Sequence, residues 1–320
     1  MNLPRQPMPP SSRRSPATAA KSAAFVPPRS RAARAEIAPA KINLTLRVFG
    51  RRRDGYHDIE SLVAFADVSD RLTFQPGGQL SLKVRGPAAH GLGKPDSNLV
   101  LKAARTLAAE MKGLKLGRFT LTKNLPIAAG IGGGSSDAAA ALRLLARANR
   151  LKLDDPRMLK AARKLGADVP VCLDPRPRLM RGIGEELSDA IRIPKLAVVL
   201  ANPGTAVATK DVFARHDRQE SRPRAAPGHH ATLIPQWRSA FIAMLAAEAN
   251  DLEPAAIALA PSIATVLDAL RAESGCHLAR MSGSGATCFG LFATPRAAQA
   301  AARKIAAAHP RWWVRASVLR

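Results

Sequence analysis

The pattern of apolar and polar positions predicts strands from the start of the chain to its end. Apolar and polar residues alternate over 42–48, as they do in a half-buried strand, which places Lys41 and Asn43 on one face. Similar strand patterns cover 62–74, 80–84, 119–122 and 312–318. The strand at 119–122 runs directly into a glycine-rich loop, so this junction is a candidate functional site.

Helical spacing separates these strands. Ser97 is expected to cap a first helix, and apolar residues at helical spacing over 138–148 predict a second. Asp155 and Gly166 mark the start and the end of a third helix, and two Ala- and Leu-rich helices follow later, before a last one opened by Thr294. Because strands and helices mix without regular βαβ repetition, the predicted fold class is α+β.

Length and composition limit the class of protein. A chain of 320 residues with 47% hydrophobic content can build one large domain or two smaller ones with real cores. No apolar run approaches the roughly 18–20 residues of a membrane span, so a transmembrane protein is excluded. The three cysteines lack zinc-type spacing. Segment 215–232 is rich in Arg, Pro, Gly and His, which predicts an exposed loop.

The chain is strongly basic, with 49 Lys and Arg against 24 acids and a net charge of +25. Such a balance suits nucleic acid, an anionic membrane or phosphorylated small molecules. Residues 1–35 hold no acid and are rich in Pro, Ser and Ala, which predicts a flexible basic extension. A transit peptide and a misassigned start codon remain alternatives for this segment. An RNA-binding protein is a further alternative, although the basic residues are scattered and lack interleaved aromatic residues.

The most specific signal is the glycine–serine loop, residues 126–136, which lies between a strand and a helix. Glycines let backbone N–H groups approach a phosphate, and the helix start adds unpaired donors and partial positive charge. The plain alternative is a flexible connector, but connectors rarely open directly onto a capped helix. The loop is not a Walker A motif, because no GK[ST] follows, and Ser135 replaces the third glycine of GxGxxG.

Two more segments complete a set of three, namely 38–44 (APAKINL) and 282–290 (SGSGATCFG). In this order the three motifs resemble those of the GHMP kinase superfamily, the group of galactokinase, homoserine kinase and mevalonate kinase. Segments 50–57 (GRRRDGYH) and 165–170 (LGADVP) extend the likeness to the branch that phosphorylates cytidylated methylerythritol in non-mevalonate isoprenoid biosynthesis. They argue against the alternative of a homoserine or mevalonate type. Val63 departs from this branch, whose members often place a further aromatic near the base pocket.

The resemblance implies a fold, a nucleotide and a place in the cell. The fold is two-lobed, with an N-terminal nucleotide-binding lobe over 36–182 and a C-terminal ferredoxin-like lobe over 183–320. The expected phosphate donor is ATP with Mg²⁺, whose protein ligands the sequence does not identify, in a cytoplasmic enzyme that binds no specific nucleic acid. Residues expected at ATP are Asn98, Leu99, Lys123, Pro126, Ile127, Ala128, Ala129, Gly130, Ile131, Gly132, Gly133, Gly134, Ser135 and Ser136. Segment 282–287 is expected to lie against the glycine–serine loop.

Asp168 matches the catalytic base of the resembling kinases and Lys41 its partner. A carboxylate that accepts the hydroxyl proton, held ionised by a nearby lysine, suits phosphoryl transfer to an alcohol. The residues alone leave alternatives open, since Asp168 could cap the helix before Pro170 and Lys41 could be a solvated strand residue.

Five residues are expected at the substrate by the same resemblance. Tyr56 and Phe213 would enclose the cytosine ring, His57 would bind its edge, Thr209 would meet the diphosphate, and Asn43 would hydrogen-bond the substrate or the neighbouring lysine. Tyr56 is the chain's single tyrosine and lies in a glycine turn, which disfavours a core role. For Phe213 a packing role stays open, and for His57 a solvated one.

Overall fold

The computed structural model describes Met1 and residues 34–93, 95–219 and 234–320. Segment 220–232 of the expected loop and most of the expected extension lie outside these residues. Strands in the described residues are β1 (Arg34–Asn43), β2 (Arg47–Arg51), β3 (His57–Pro76), β4 (Ser81–Arg85), β5 (Gly117–Thr122), β6 (Arg178–Arg181), β7 (Glu186–Leu187), β8 (Leu196–Asn202), β9 (Cys276–Met281), β10 (Cys288–Phe292) and β11 (Trp313–Leu319). Since β1 begins at Arg34, the last two residues assigned to the extension belong to a strand.

Helices in the described residues are α1 (Leu99–Glu110), α2 (Gly133–Asn149), α3 (Pro156–Leu165), α4 (Val169–Leu173), α5 (Thr209–Gln219), α6 (Arg238–Ala246), α7 (Glu253–Leu259), α8 (Ser262–Arg271) and α9 (Pro295–Ala308). Two short 3-10 turns cover Ala89–Gly91 and Pro95–Ser97. Within the described part of the chain, no helix has the length and apolar character of a membrane span.

The N-terminal half is built around β3, a strand of 20 residues. It pairs antiparallel with β1, β2, β5 and β6, while β4 lies parallel to β5. Helices α1 to α4 pack on this sheet, and their apolar faces form one core with Phe74 and Phe119. Helix α2 is buried along most of its length, so its N-terminus has a fixed position at the sheet edge.

The C-terminal half has the ferredoxin-like arrangement that the family resemblance implied. Strands β11, β8, β10 and β9 lie side by side in that order, each antiparallel to its neighbour. In chain order this is β8-α8-β9-β10-α9-β11 with sheet order 4-1-3-2, and α8 and α9 contribute to the core beneath it. The pair Leu319 and Ala66 joins β11 to β3, so one connected sheet spans both halves.

Three local expectations differ from the structure in the N-terminal half. The strand expected over 42–48 is interrupted, because Leu46 leaves β3 and hydrogen-bonds with Ala249 and Asp251 instead. The cap of α1 is Asn98 and not Ser97, since the Asn98 side chain accepts from the Val100 N–H at 2.9 Å. Helix α2 begins at Gly133, inside the expected loop. The sequence did not reveal this start, because the apolar pattern of the helix begins only five residues later.

Two expectations differ in the C-terminal half. The loop expected from Arg215 is wrong for its first five residues, because α5 continues to Gln219. The cause is composition, since a polar surface helix with few apolar residues looks like a loop in sequence. Three helices, α6 to α8, stand where two were expected, because a break near Asn250 divides one apolar stretch.

Candidate active site

A cavity of about 970 Å³ opens between the glycine–serine loop, the segment before β3, the start of α5 and the C-terminal glycine turn, residues 282–285. All ten predicted catalytic, substrate and flanking nucleotide residues line it: Lys41, Asn43, Tyr56, His57, Asn98, Leu99, Lys123, Asp168, Thr209 and Phe213. Of the loop itself, every predicted residue except Ile131 and Ser136 lines the wall. Those two are buried behind it.

Lys41 and Asp168 meet in this cavity although 127 residues separate them. Lys41 Nζ donates to Asp168 Oδ1 at 2.6 Å, and the side chains are 5% and 36% exposed. Asp168 occupies the N-cap position of α4, yet its side chain makes no capping hydrogen bond. The helix-cap alternative therefore fails as a description of the side chain, and the carboxylate retains access to the cavity.

The glycine–serine loop rests on the C-terminal glycine turn, as the sequence led us to expect. The Thr287 N–H donates to Ala129 O at 3.1 Å, and Ser282 Oγ donates to Gly130 O at 3.0 Å. Gly130 has φ +72°, and a Cβ there would lie 2.4 Å from Ser282 O. Only glycine permits this close contact, so packing against the turn fixes the position of the glycine–serine loop.

The loop leads into α2 through Gly132, which has φ +60° and faces Lys41. A Cβ on Gly132 would stand 3.3 Å from the lysine Cβ and Cε. The next three residues, 133–135, form the first turn of α2 and line the cavity. The N–H groups of a first helical turn have no intrahelical partner, so they give this wall the character of an anion site.

A second lysine of the cavity wall belongs to a group that we name the buried lysine cluster: Lys123, Asp70 and Asp137. Lys123 Nζ donates to Asp70 Oδ2 and to Asp137 Oδ2, at 2.5 and 2.7 Å. Asp70 Oδ1 also accepts the N–H groups of Asn124 and Leu125, where the chain enters the loop. All three charged side chains are at most 4% exposed, so the cluster holds the loop entry to β3 and α2.

Burial governs the protonation of the cluster. It raises the pKa of Asp137 to about 7, and the nearby carboxylate of Asp70 adds to this rise, whereas Lys123 opposes it. Burial also disfavours the charged ammonium, but Asp137 and Asp70 outweigh this effect and raise the pKa of Lys123. The lysine therefore stays charged. Asp137 Oδ1 is buried and, among the described residues, has no hydrogen-bond partner.

Asn98 and Leu99 line the cavity at the start of α1. The Asn98 side-chain oxygen is bound within the helix cap, whereas a Leu99 methyl lies 3.3 Å from where a Cβ on Gly134 would be. The two residues thus line the wall beside the first turn of α2.

At the other end of the cavity, three aromatic or imidazole side chains come together. Tyr56 is 60% exposed at the rim, while the rings of His57 and Phe213 stack with centroids 4.6 Å apart. His57 Nε2 lies 2.6 Å from Asp217 Oδ1, a residue that the sequence analysis did not identify. His57 is only 9% exposed, so it is not the solvated turn histidine of the plain alternative.

Asn43 and Thr209 also line the cavity. Asn43 Nδ2 donates to Ser61 Oγ at 2.7 Å and not to Lys41, and Thr209 Oγ1 shares a hydrogen bond with Ser284 Oγ at 2.9 Å. Val63 is fully buried in the core and does not line the cavity.

Asp217 and Asp70 are the residues that sequence reasoning missed. Asp217 lies four residues after Phe213 on α5, so helical spacing would have placed both on one face. The sequence pattern predicted a loop from residue 215, so the helical spacing of Asp217 and Phe213 was not recognised. Asp70 sits within a long strand and contacts Lys123 across 53 residues, for which the sequence carries no marker.

Comparison with protein families identifies two matched regions. Residues 98–174 match the model described as GHMP kinases N terminal domain, and residues 231–311 match the one described as GHMP kinases C terminal.

Individual relatives extend the likeness over most of the chain. A 4-diphosphocytidyl-2-C-methyl-D-erythritol kinase from Rhodopseudomonas palustris is 54% identical over 88% of this chain and 96% of its own. The enzyme of that name from Methylobacterium radiotolerans is 55% identical over 89% of this chain and 99% of its own.

Solved structures agree with the sequence comparison. A crystal structure of 4-(cytidine 5'-diphospho)-2C-methyl-D-erythritol kinase matches with a TM-score of 0.71 and 34% identity, covering 89% of this chain and 99% of its own. A homoserine kinase from Cytophaga hutchinsonii matches with a TM-score of 0.63 at 20% identity, over 89% of this chain and 94% of its own. The second match concerns the fold alone.

Proposed function

Because this chain belongs to the 4-diphosphocytidyl-2-C-methyl-D-erythritol kinases of the GHMP kinase family, we propose that it transfers the ATP γ-phosphoryl group to the 2-hydroxyl of that substrate. The product would serve non-mevalonate isoprenoid precursor biosynthesis. The observation that carries the proposal is the Lys41–Asp168 hydrogen bond of 2.6 Å in the wall of the cavity that the glycine–serine loop also lines.

Asp168 is proposed as the group that accepts the hydroxyl proton. One of its oxygens is held by Lys41, and the side chain is 36% exposed in the cavity, so the carboxylate is accessible to an alcohol. Lys41 favours the ionised carboxylate and offers positive charge to the transferring phosphoryl group. The protein's contribution to such a transfer is mainly position and charge, which this pair supplies.

ATP is the substrate that GHMP kinases share, and we propose that its phosphates lie over 126–136. The first turn of α2 offers unpaired N–H groups there, and the glycines at 130 and 132–134 line the cavity beside them. Asn98 and Leu99 are proposed as neighbours of the nucleotide. Lys123 is proposed as a further neighbour of the nucleotide that acts mainly by holding the loop in place, because its ammonium is already bound by two carboxylates.

Mg²⁺ is proposed to enter with ATP. The described residues contain no group of three His, Cys, Asp or Glu side chains that could hold a metal. Mg²⁺ bound to a nucleotide needs only one or two protein oxygens and keeps several waters. Asp137 fits this requirement, since its partnerless Oδ1 lies in a carboxylate that lines the cavity. When bound, the ion would neutralise charge on the triphosphate.

The opposite end of the cavity is proposed to bind the cytidine portion. Tyr56 at the rim and Phe213 provide flat apolar surfaces for a base, and His57 provides a ring nitrogen. Thr209 and Asn43 also line the cavity and are proposed to contact the diphosphate and the sugar alcohol. The division into lobes of 36–182 and 183–320 is proposed with this cleft between them.

Purified protein with ATP, Mg²⁺ and a panel of alcohols tests the proposal. The panel contains 4-diphosphocytidyl-2-C-methyl-D-erythritol, homoserine and mevalonate, and mass spectrometry identifies any phosphorylated product. We expect a mass gain of one phosphoryl group on the cytidylated alcohol. Equal or greater phosphorylation of homoserine or mevalonate would overturn the substrate assignment and leave the chain a kinase of another type.

A further inference from the structure

His57 is held on two sides by one helix. Phe213 and Asp217 are four residues apart on α5, so they share a face. Phe213 stacks on the imidazole ring at 4.6 Å with an interplanar angle of 23°, and Asp217 Oδ1 lies 2.6 Å from Nε2. The imidazole therefore has little freedom to rotate.

The contact with Asp217 also selects a tautomer. An ionised carboxylate only accepts hydrogen bonds, so the proton of a neutral imidazole must be on Nε2. The other ring nitrogen, Nδ1, then carries a lone pair and acts as an acceptor. His57 lines the cavity, so a ligand group that reaches Nδ1 would meet an acceptor.

Pyrimidine bases differ in this respect at position 4. Cytosine presents an amino group there, which donates, whereas uracil presents a carbonyl oxygen, which accepts as the corresponding oxygen of thymine does. An acceptor nitrogen facing a second acceptor leaves both groups without a partner, and such a buried mismatch costs about 1–3 kcal/mol, or roughly 5- to 150-fold.

We propose that Asp217 is a positioning residue that keeps His57 Nδ1 an acceptor and thereby makes the site prefer a cytidine substrate to a uridine one. This inference rests on the proposed function. In this proposal Asp217 acts through the hydrogen bond to His57 Nε2, although it also lines the cavity.

The test compares kcat/KM for the cytidine substrate and its uridine counterpart in the wild type, in Asp217→Asn and in Asp211→Asn. An asparagine amide can donate to Nε2, which permits the tautomer with the proton on Nδ1. We expect the cytidine-to-uridine ratio to fall at least ~10-fold in Asp217→Asn, mainly through KM. Asp211 is exposed on the same helix, so Asp211→Asn should keep the wild-type ratio.

The tautomer itself is measured by ¹⁵N NMR of the histidine rings in the ligand-free protein, with His57→Gln to assign the signals. We expect the proton on Nε2 in the wild type and a larger Nδ1-protonated fraction in Asp217→Asn. An unchanged tautomer, or an unchanged base preference despite a changed tautomer, would overturn the inference. Equal use of both nucleotide substrates by the wild type would overturn it while the proposed kinase function stands, whereas no turnover of either would refute that function.

Discussion

The Lys41–Asp168 pair and the buried lysine cluster both place a lysine ammonium against aspartate in the wall of one cavity, but they differ in exposure. Asp168 is 36% exposed, whereas Asp70 is fully buried and Asp137 is 4% exposed. Asp70 uses both oxygens on the protein, one on Lys123 and one on backbone N–H groups. Asp168 leaves an accessible carboxylate for a ligand.

The difference shows that a lysine–aspartate contact does not define a catalytic site. A pair saturated by backbone donors holds loop geometry, and removal of one partner leaves a buried uncompensated charge. A pair that opens to a cavity has spare hydrogen-bonding capacity, which proton transfer requires. Variants should therefore separate the two groups, one by turnover and the other by stability.

The largest effect is expected for Asp168→Asn. The amide cannot take a proton at neutral pH, so kcat should fall by roughly 10²–10⁴-fold. ATP affinity measured by calorimetry and Tm should stay near the wild-type values, because the Asp168 side chain makes no capping hydrogen bond. Turnover within several-fold of wild type would remove Asp168 from the role of base.

Lys123→Met should act mainly on stability. It leaves two carboxylates buried without their cation, and breaking a buried pair in this way costs about 3–5 kcal/mol. Urea unfolding measures this loss, which Lys123→Met/Asp137→Asn should partly restore. Lys164→Met is the matched control, since Lys164 is 54% exposed and pairs with Glu110 on the surface. A Lys123→Met protein as stable as this control would contradict a structural role for the cluster.

The sequence predicted features that are contiguous in the chain or are carried by family motifs. The strand–loop–helix unit and the face shared by Lys41 and Asn43 follow from local pattern, and Asp168 came from a motif. Contacts between distant residues that no family motif carries could not be predicted. Apolar spacing shows which face of a helix or strand is buried, but it does not show which residues pack against that face. His57 and Asp217 are 160 residues apart, and the pair became visible only once α5 extended to Gln219.

The smallest effect is expected from a comparison of two aspartates, Asp155 and Asp168. Both occupy helix N-cap positions. The Asp155 side chain accepts the Arg157 N–H at 2.9 Å and so caps α3, which Asp168 does not do for α4. Asp155→Ala should lower Tm by about 2–4 °C with unchanged kcat, whereas Asp168→Ala should lose turnover.

The pH dependence of Tm checks that assignment. Hydrogen bonds from the Arg157 side chain and backbone lower the pKa of Asp155 to about 2, from an ordinary 3.8. Because the pKa is lower in the folded state, the stabilisation is present above the ordinary value and disappears as the pH falls toward 2. The Tm difference between wild type and Asp155→Ala should therefore shrink on acidification. A difference that stays constant down to pH ~2 would mean that the carboxylate charge is not what caps α3.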